Sequence, residues 1–277
     1  MIIDSHQHFW NYDPIRDIWI DNSMAVLKRN FLPKDLKKIY QINSIEGCVA
    51  VQADQSEEET IFLLDQASKN NFIKGVIGWL DIKSSKLNDL LSYYTKYPAF
   101  KGLRHIVQNE KDVNFMLKSD FQRGLSFLEE YNLTYDILIN AHQMDQAIKM
   151  VKKNPNQIFI LDHIGKPKIS KNVDSTWIKN INELSLNENV FCKISGLVTE
   201  TKFLKWKVND FYPYLEVVFN AFGIDRIMYG SDWPVCLLAS NFKDTLDILN
   251  YYISSFSENE KNKVMSLNAI KAYNLST

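Results

Sequence analysis

Short apolar runs alternate with segments of helical period from one end of this chain to the other. The runs lie at residues 2–8, 47–52, 75–80, 102–107, 134–139, 158–163, 190–195 and 227–232 and are rich in Val, Ile, Leu and aromatic side chains. They are too short for helices, so each predicts a strand. The intervening segments carry helix signals. Ser56 and Glu59 have the spacing of a capping box and open a segment with Ile61, Leu64 and Ala67 on one face. Leu87, Leu90, Leu91 and Tyr94 repeat the pattern, followed by Phe121, Leu125 and Leu128, by Met144, Ile148 and Val151, and by Trp177, Ile181 and Leu184. Leu215, Val218 and Phe222 run up to Gly223, a residue suited to the left-handed end of a helix. A second capping box, Ser257 with Glu260, precedes Val264 and Leu267.

Strands that alternate with helices pair in parallel through right-handed crossovers. Such strands are covered on both faces and read as nearly continuous apolar runs, as these do. The chain has 277 residues and no Pro/Gly/Ser-rich linker. The pattern therefore predicts one domain over residues 1–277, an α/β fold of the closed (β/α)8 TIM-barrel type. The competing doubly wound sheet normally carries a Gly-rich phosphate loop after an early strand. This chain has none.

A barrel of this kind places its chemistry at the C-terminal ends of the strands. His6 and His8 close the first run, and side chains two apart on a strand share a face. Asp4 continues that alternation and is expected on the same face, deeper, as an orienting group. The second run ends in Gln52. The fourth carries Arg104, His105 and Gln108, with Arg104 expected to face the interior and His105 to pack outside. The fifth holds Tyr135 and Asp136, followed by His142; the sixth ends in Asp162 and His163, the seventh in Lys193 and Ser195, the eighth in Ser231 and Asp232. All five histidines fall at or near such ends, which scattered surface histidines would rarely do. Asp232 lies between an apolar strand and Trp233-Pro234, where an unpaired carboxylate is costly. A base, a metal ligand or a helix cap all fit that position. Lys193 either binds substrate or pairs with Asp162, and His142 either contacts substrate or precedes a helix as its cap.

A net charge of −1 offers no field to hold nucleic acid or an anionic membrane, which leaves a small molecule as the expected partner. Lys34, Lys37 and Lys38 read as a solvated helix face. The three cysteines, Cys48, Cys192 and Cys236, lie apart in apolar runs and are expected to be buried free thiols. No apolar run approaches the ~20 residues that span a bilayer. A cytoplasmic protein without a signal peptide is expected.

The strings Asp4-Ser5-His6-Gln7-His8-Phe9-Trp10, Gly102-Leu103-Arg104-His105, Leu161-Asp162-His163-Ile164-Gly165-Lys166-Pro167 and Gly230-Ser231-Asp232-Trp233-Pro234-Val235-Cys236 narrow the choice. Together with Lys193-Ile194-Ser195-Gly196-Leu197 they resemble the amidohydrolase superfamily, in its sugar-lactonase branch with L-fucono-lactonase and L-rhamnono-lactonase. That resemblance spans the chain and implies hydrolysis of aldonolactones in deoxysugar catabolism. The fourth run offers no lysine and the fifth no histidine, so a two-metal site is not expected. The resemblance implies one divalent ion, zinc or manganese, weakly held or dispensable, with His6, His8, His163 and Asp232 as its ligands.

Lactone opening needs a polarised carbonyl, an activated water and a proton for the leaving alkoxide. Asp232 and His163 are the expected catalytic pair, with Asp232 moving the proton and the histidines polarising the carbonyl or holding the metal. Arg104, Tyr135, Lys193, Gln52, Gln108, His142 and Trp233 are the expected substrate contacts, with Trp19 and Trp79 as further flat walls. The alternatives are a 2-pyrone-4,6-dicarboxylate lactonase, a metal-dependent decarboxylase of the same superfamily, and a sugar-binding protein with a decayed site. A dicarboxylate would favour several guanidiniums. Of Arg16, Arg29, Arg104, Arg123 and Arg226, only Arg104 lies at a strand end.

Overall fold

A computed structural model describes residues 1–201 and 205–276. Its strands are β1 (Ile3–Gln7), β2 (Gly47–Val51), β3 (Ile73–Gly78), β4 (Phe100–Ile106), β5 (Thr134–Leu138), β6 (Phe159–Leu161), β7 (Val190–Ile194) and β8 (Ile227–Tyr229). They pair in parallel and in sequence order. The ring closes just beyond β8, where the Asp232 amide donates to the His6 carbonyl at 2.8 Å and the His8 amide to the Trp233 carbonyl at 2.7 Å. The chain therefore forms the (β/α)8 barrel that its alternating pattern predicts.

The helices following β1 to β8 are α1 (Pro33–Asn43), α2 (Glu57–Lys69), α3 (Leu87–Tyr94), α4 (Ser119–Glu130), α5 (Met144–Lys153), α6 (Ser175–Ser185), α7 (Tyr212–Phe222) and α8 (Phe242–Tyr252). The chain then adds α9 (Glu258–Asn262), a π turn at Lys263–Leu267 and α10 (Asn268–Tyr273). Each of α1 to α8 buries an apolar face. On α4, for example, Phe121, Leu125 and Leu128 are fully buried, each contributing about 1.5–3 kcal/mol relative to exposure. A second, smaller core fills the barrel interior with Ile3, Val49, Val51, Ile77, Ile160 and Met228, joined by Ala269 and Tyr273 of α10. The three cysteines are buried and free. No helix among the described residues is long and apolar enough to cross a membrane.

Two local expectations need correcting. Ser56 does cap α2, accepting the Glu59 amide at 3.2 Å. Glu59, however, does not return the bond; its carboxylate takes the amides of Ala53 and Asp54 in the preceding loop. The buried face of α2 is Thr60, Leu63 and Leu64, with Ile61 exposed. Thr60 sets that rotation, because its hydroxyl both accepts from the Trp79 amide and donates to the Trp79 carbonyl at 2.8 Å. At the other end of the chain the Ser257–Glu260 box is complete. Leu267 is nonetheless exposed while Val264 is buried, since the π turn between them shifts the helical phase.

The larger correction is in β1. Its register against β2 slips between Asp4 and Gln7, the mark of a β-bulge. Ile3 lies in the interior cluster, yet Asp4 accepts from the hydroxyl of Tyr40 on α1 at 2.9 Å. Asp4 thus faces the helix layer, away from His6 and His8. It still orients the site, but through the backbone: its carboxylate takes the Ser231 amide at 2.8 Å and the Ser231 hydroxyl at 2.5 Å, next to Asp232.

Candidate active site

His6 and His8 emerge together at the end of β1, their ring nitrogens Nε2 3.2 Å apart. His8 Nδ1 lies 2.7 Å from the Val51 carbonyl. A carbonyl only accepts, so Nδ1 carries the proton and Nε2 presents a lone pair in the neutral ring. That Nε2 is 3.4 Å from Asp232 Oδ1, and His6 Nε2 is 3.8 Å from the same oxygen. His6 is balanced between tautomers. At Nε2 it meets the donor Arg104 Nη1 at 3.2 Å, and at Nδ1 the donor Lys193 Nζ at 3.1 Å and the acceptor Asp162 Oδ1 at 3.2 Å.

Two strained loops complete the cluster. Beyond β6 the backbone is left-handed at His163, Ile164, Gly165 and Lys166, with φ from 50° to 74°. Left-handed non-glycine residues cost of order 1–2 kcal/mol each, so the surrounding structure must hold the segment in this conformation. Tertiary contacts hold the turn: Trp177 Nε1 on α6 donates to the Ile164 carbonyl at 2.9 Å. His163 Nδ1 lies 2.9 Å from the Ser195 hydroxyl beyond β7. Gly196 has no side chain for a reason of space, since a Cβ there would come within 2.5 Å of His163 Nδ1. Asp232, φ 56°, is the second left-handed segment.

Beneath these groups lies a buried ionic network. Lys193 is fully buried, 2.6 Å from Asp136 and 3.0 Å from Asp162. Arg104 Nη1 donates to Asp162 at 3.0 Å, and Nη2 donates to the Gln52 carbonyl. Tyr273 of α10 donates to Asp136 at 2.8 Å. Two cations and two carboxylates thus balance in the barrel interior, as buried charges must.

These surroundings set the protonation of the site. Burial would raise the Asp232 carboxyl, but His163, His8 and His6 outweigh it and hold it below the usual carboxylate range. Burial pushes His163 down to about 4 against the pull of Asp232 and Asp162. It also holds His6 well below the ordinary imidazole value. At neutral pH Asp232 is therefore a carboxylate, and His163 and His6 are neutral imidazoles. His6, His8 and Asp232 offer three donor atoms mutually within bonding reach of one ion; His163 instead groups with His6 and Asp162.

A cavity of about 340 Å³ opens over the cluster, lined by His8, Arg104, Gln108, His163 and Asp232, with Trp19 on its wall. That size suits a small-molecule site. Several expected contacts lie elsewhere. Gln52 and Lys193 are fully buried beneath the cavity, where Gln52 Nε2 donates to the Arg104 carbonyl. Tyr135 points outward from β5 between Phe121 and Phe159. Trp233 packs edge-on against Phe9 and Phe31, and Trp79 Nε1 meets His105 Nδ1. His142 sits in the single turn Ala141–Gln143 with its side chain exposed and off the cavity. His105 stacks on Phe115 and meets Glu110 at 2.7 Å, outside the barrel as its neighbour's inward turn requires. Lys166 and Glu200, which the strand-end argument passed over, line the cavity. Both come from loops beyond the strand ends, although Lys166 stands only three residues after His163.

Residues 3–275 match the family described as amidohydrolase. An L-fucono-1,5-lactonase of Burkholderia multivorans is 33% identical over 284 residues, covering 99% of this chain and 96% of that protein. A second L-fucono-1,5-lactonase, from Burkholderia ambifaria, is 30% identical over 87% of this chain and 83% of its own. A crystal structure of an amidohydrolase from Burkholderia multivorans with bound zinc superposes at a TM-score of 0.96 with 32% identity, over 100% of both chains.

Proposed function

This chain belongs to the amidohydrolase family, and from that premise we propose that it opens the ester ring of a sugar-derived lactone of the L-fucono- or L-rhamnono- type. The observation that carries the reading is the Asp232 carboxylate 3.4 Å from His8 Nε2 and beside the neutral His163 imidazole at the floor of a small cavity. It is supported by two lactonases of matching length at 30–33% identity.

In this reading Asp232 takes a proton from the attacking water. The water oxygen bonds to the carbonyl carbon, the ring C–O bond breaks, and Asp232 returns the proton to the departing ring oxygen. The proposed role of His163 is to polarise the carbonyl in its Nε2–H tautomer, the one in which Nδ1, 2.9 Å from the Ser195 hydroxyl, accepts from it. Arg104 and Gln108 are the proposed contacts for ring hydroxyls. His6, His8 and Asp232 fit one divalent cation, because His8 Nε2 and Asp232 Oδ1 are two acceptors 3.4 Å apart with His6 Nε2 beside them. Such an ion, zinc or manganese, would supply Lewis-acid polarisation of the carbonyl. A dicarboxylate substrate is disfavoured, since Arg104 already serves Asp162 and the Gln52 carbonyl.

The test is a turnover panel of aldonolactones beside 2-pyrone-4,6-dicarboxylate, run with and without a chelator. Turnover of a six-carbon neutral lactone should exceed that of the dicarboxylate by orders of magnitude. Faster opening of the dicarboxylate would overturn the substrate assignment.

A further inference from the structure

Among the described residues that line the cavity, Arg104 and Lys166 carry positive charge and Asp232 and Glu200 negative. The two cations are not equivalent. Arg104 is buried and bound to Asp162 within the interior network. Lys166 is about one-fifth exposed and reaches the ligand space. It is the last residue of the left-handed turn that presents His163, and its amide donates to the His163 carbonyl at 2.8 Å. Its ammonium donates to Gln108 Oε1 at 3.0 Å and lies 3.4 Å from Glu200 Oε1. The loops beyond β4, β6 and β7 thus meet over the cavity through one cation and its two acceptors. Burial pushes the Glu200 carboxyl up, and Lys166 draws it back down.

We propose that Glu200 is a charge filter: by neutralising Lys166 it denies the cavity a free cation, so that neutral ligands are kept and carboxylates are turned away. The consequence follows from the chemistry proposed above, on which this inference rests. Ring opening converts a neutral lactone and one water into a carboxylic acid that releases its proton to solvent. Substrate and product then differ by one negative charge. Asp232 and Glu200 both repel that charge, while Lys166 alone would retain it. Glu200 therefore favours departure of the aldonate and excludes dicarboxylates resembling the ring in shape. With Gln108 and Glu200 each taking one of its three N–H groups, Lys166 keeps one donor for hydroxyl recognition, and Glu200 adds an acceptor.

The experiment is calorimetric titration of the folded protein with L-fuconate and, separately, with citrate, in wild type, Glu200→Gln, Lys166→Met and the double variant. Glu200→Gln should tighten both anions by about tenfold or more, with a steeper loss of affinity on adding salt. The double variant should lose that gain, because the exposed ammonium is its source. Unchanged affinity in Glu200→Gln, or a gain that survives removal of Lys166, would overturn the filter. Citrate separates the two readings. If the protein opens no lactone but Glu200→Gln still captures citrate through Lys166, the filter stands and the lactonase reading falls.

Discussion

At Asp232 a left-handed backbone, φ 56°, aims the carboxylate between His8 and His6 instead of along the strand. No other carboxylate in the described cavity wall faces both imidazoles, so its substitution is the sharpest test at this scale. Asp232→Asn keeps shape and volume but cannot accept a proton from water. The fold should survive, and kcat should fall by roughly 10²–10⁴, the usual worth of a positioned acid/base group. Steady-state kinetics on the folded variant checks this. Near-normal turnover would remove Asp232 from the proton path. His163 differs in kind: it is neutral because it is buried, and its direction is set by Ser195 and by the missing side chain of Gly196.

At the scale of elements, the β2–α2 connection shows how a helix start serves the cavity rim. Glu59, in the first turn of α2, spends its carboxylate on the amides of Ala53 and Asp54, and Ala53 lines the cavity. Burial raises the Glu59 carboxyl to about 8, against its backbone donors. The unfolded chain loses the same proton near pH 4.3. A folded value above the unfolded one contributes stability that is complete below about pH 4.3 and is lost as pH rises through about 8. Glu59→Gln cannot titrate. Thermal melts of the two proteins at pH 5 and pH 8.5 should show the variant gaining on the wild type at the higher pH. A difference in Tm that does not move with pH would show that Glu59 is ionised throughout.

For the whole molecule, the ionic network across the interior is what ties β4, β5, β6 and β7 to one another beneath the site. Lys193→Met would leave Asp136 and Asp162 facing each other without their shared cation. Breaking a buried pair in this way costs about 3–5 kcal/mol. Adding Asp136→Asn should restore part of the loss, since Asp162 keeps Arg104 as its partner. Denaturant unfolding of the two single variants and the double variant measures it. A double variant as unstable as the sum of its single changes would mean that these groups do not act together.

The amino-acid sequence by itself determined the eight repeating units, the pairing of His6 with His8, the inward turn of Arg104, and the placing of His163 and Asp232 at strand ends. These follow from local rules: side-chain alternation on a strand, helical period, and the cost of a carboxylate beside an apolar run. Tertiary structure alone decided the remainder. The bulge in β1 turned Asp4 outward by breaking the alternation that strand periodicity assumes. Lys193 and Gln52 face inward at the strands but lie a layer too deep to line the cavity, and depth depends on the stagger of neighbouring strands. Trp233 found aromatic partners more than 200 residues away. Lys166 and Glu200 meet only because two loops without regular period converge over the barrel mouth. Contacts of that kind depend on how distant segments pack, and no pattern within either segment encodes them.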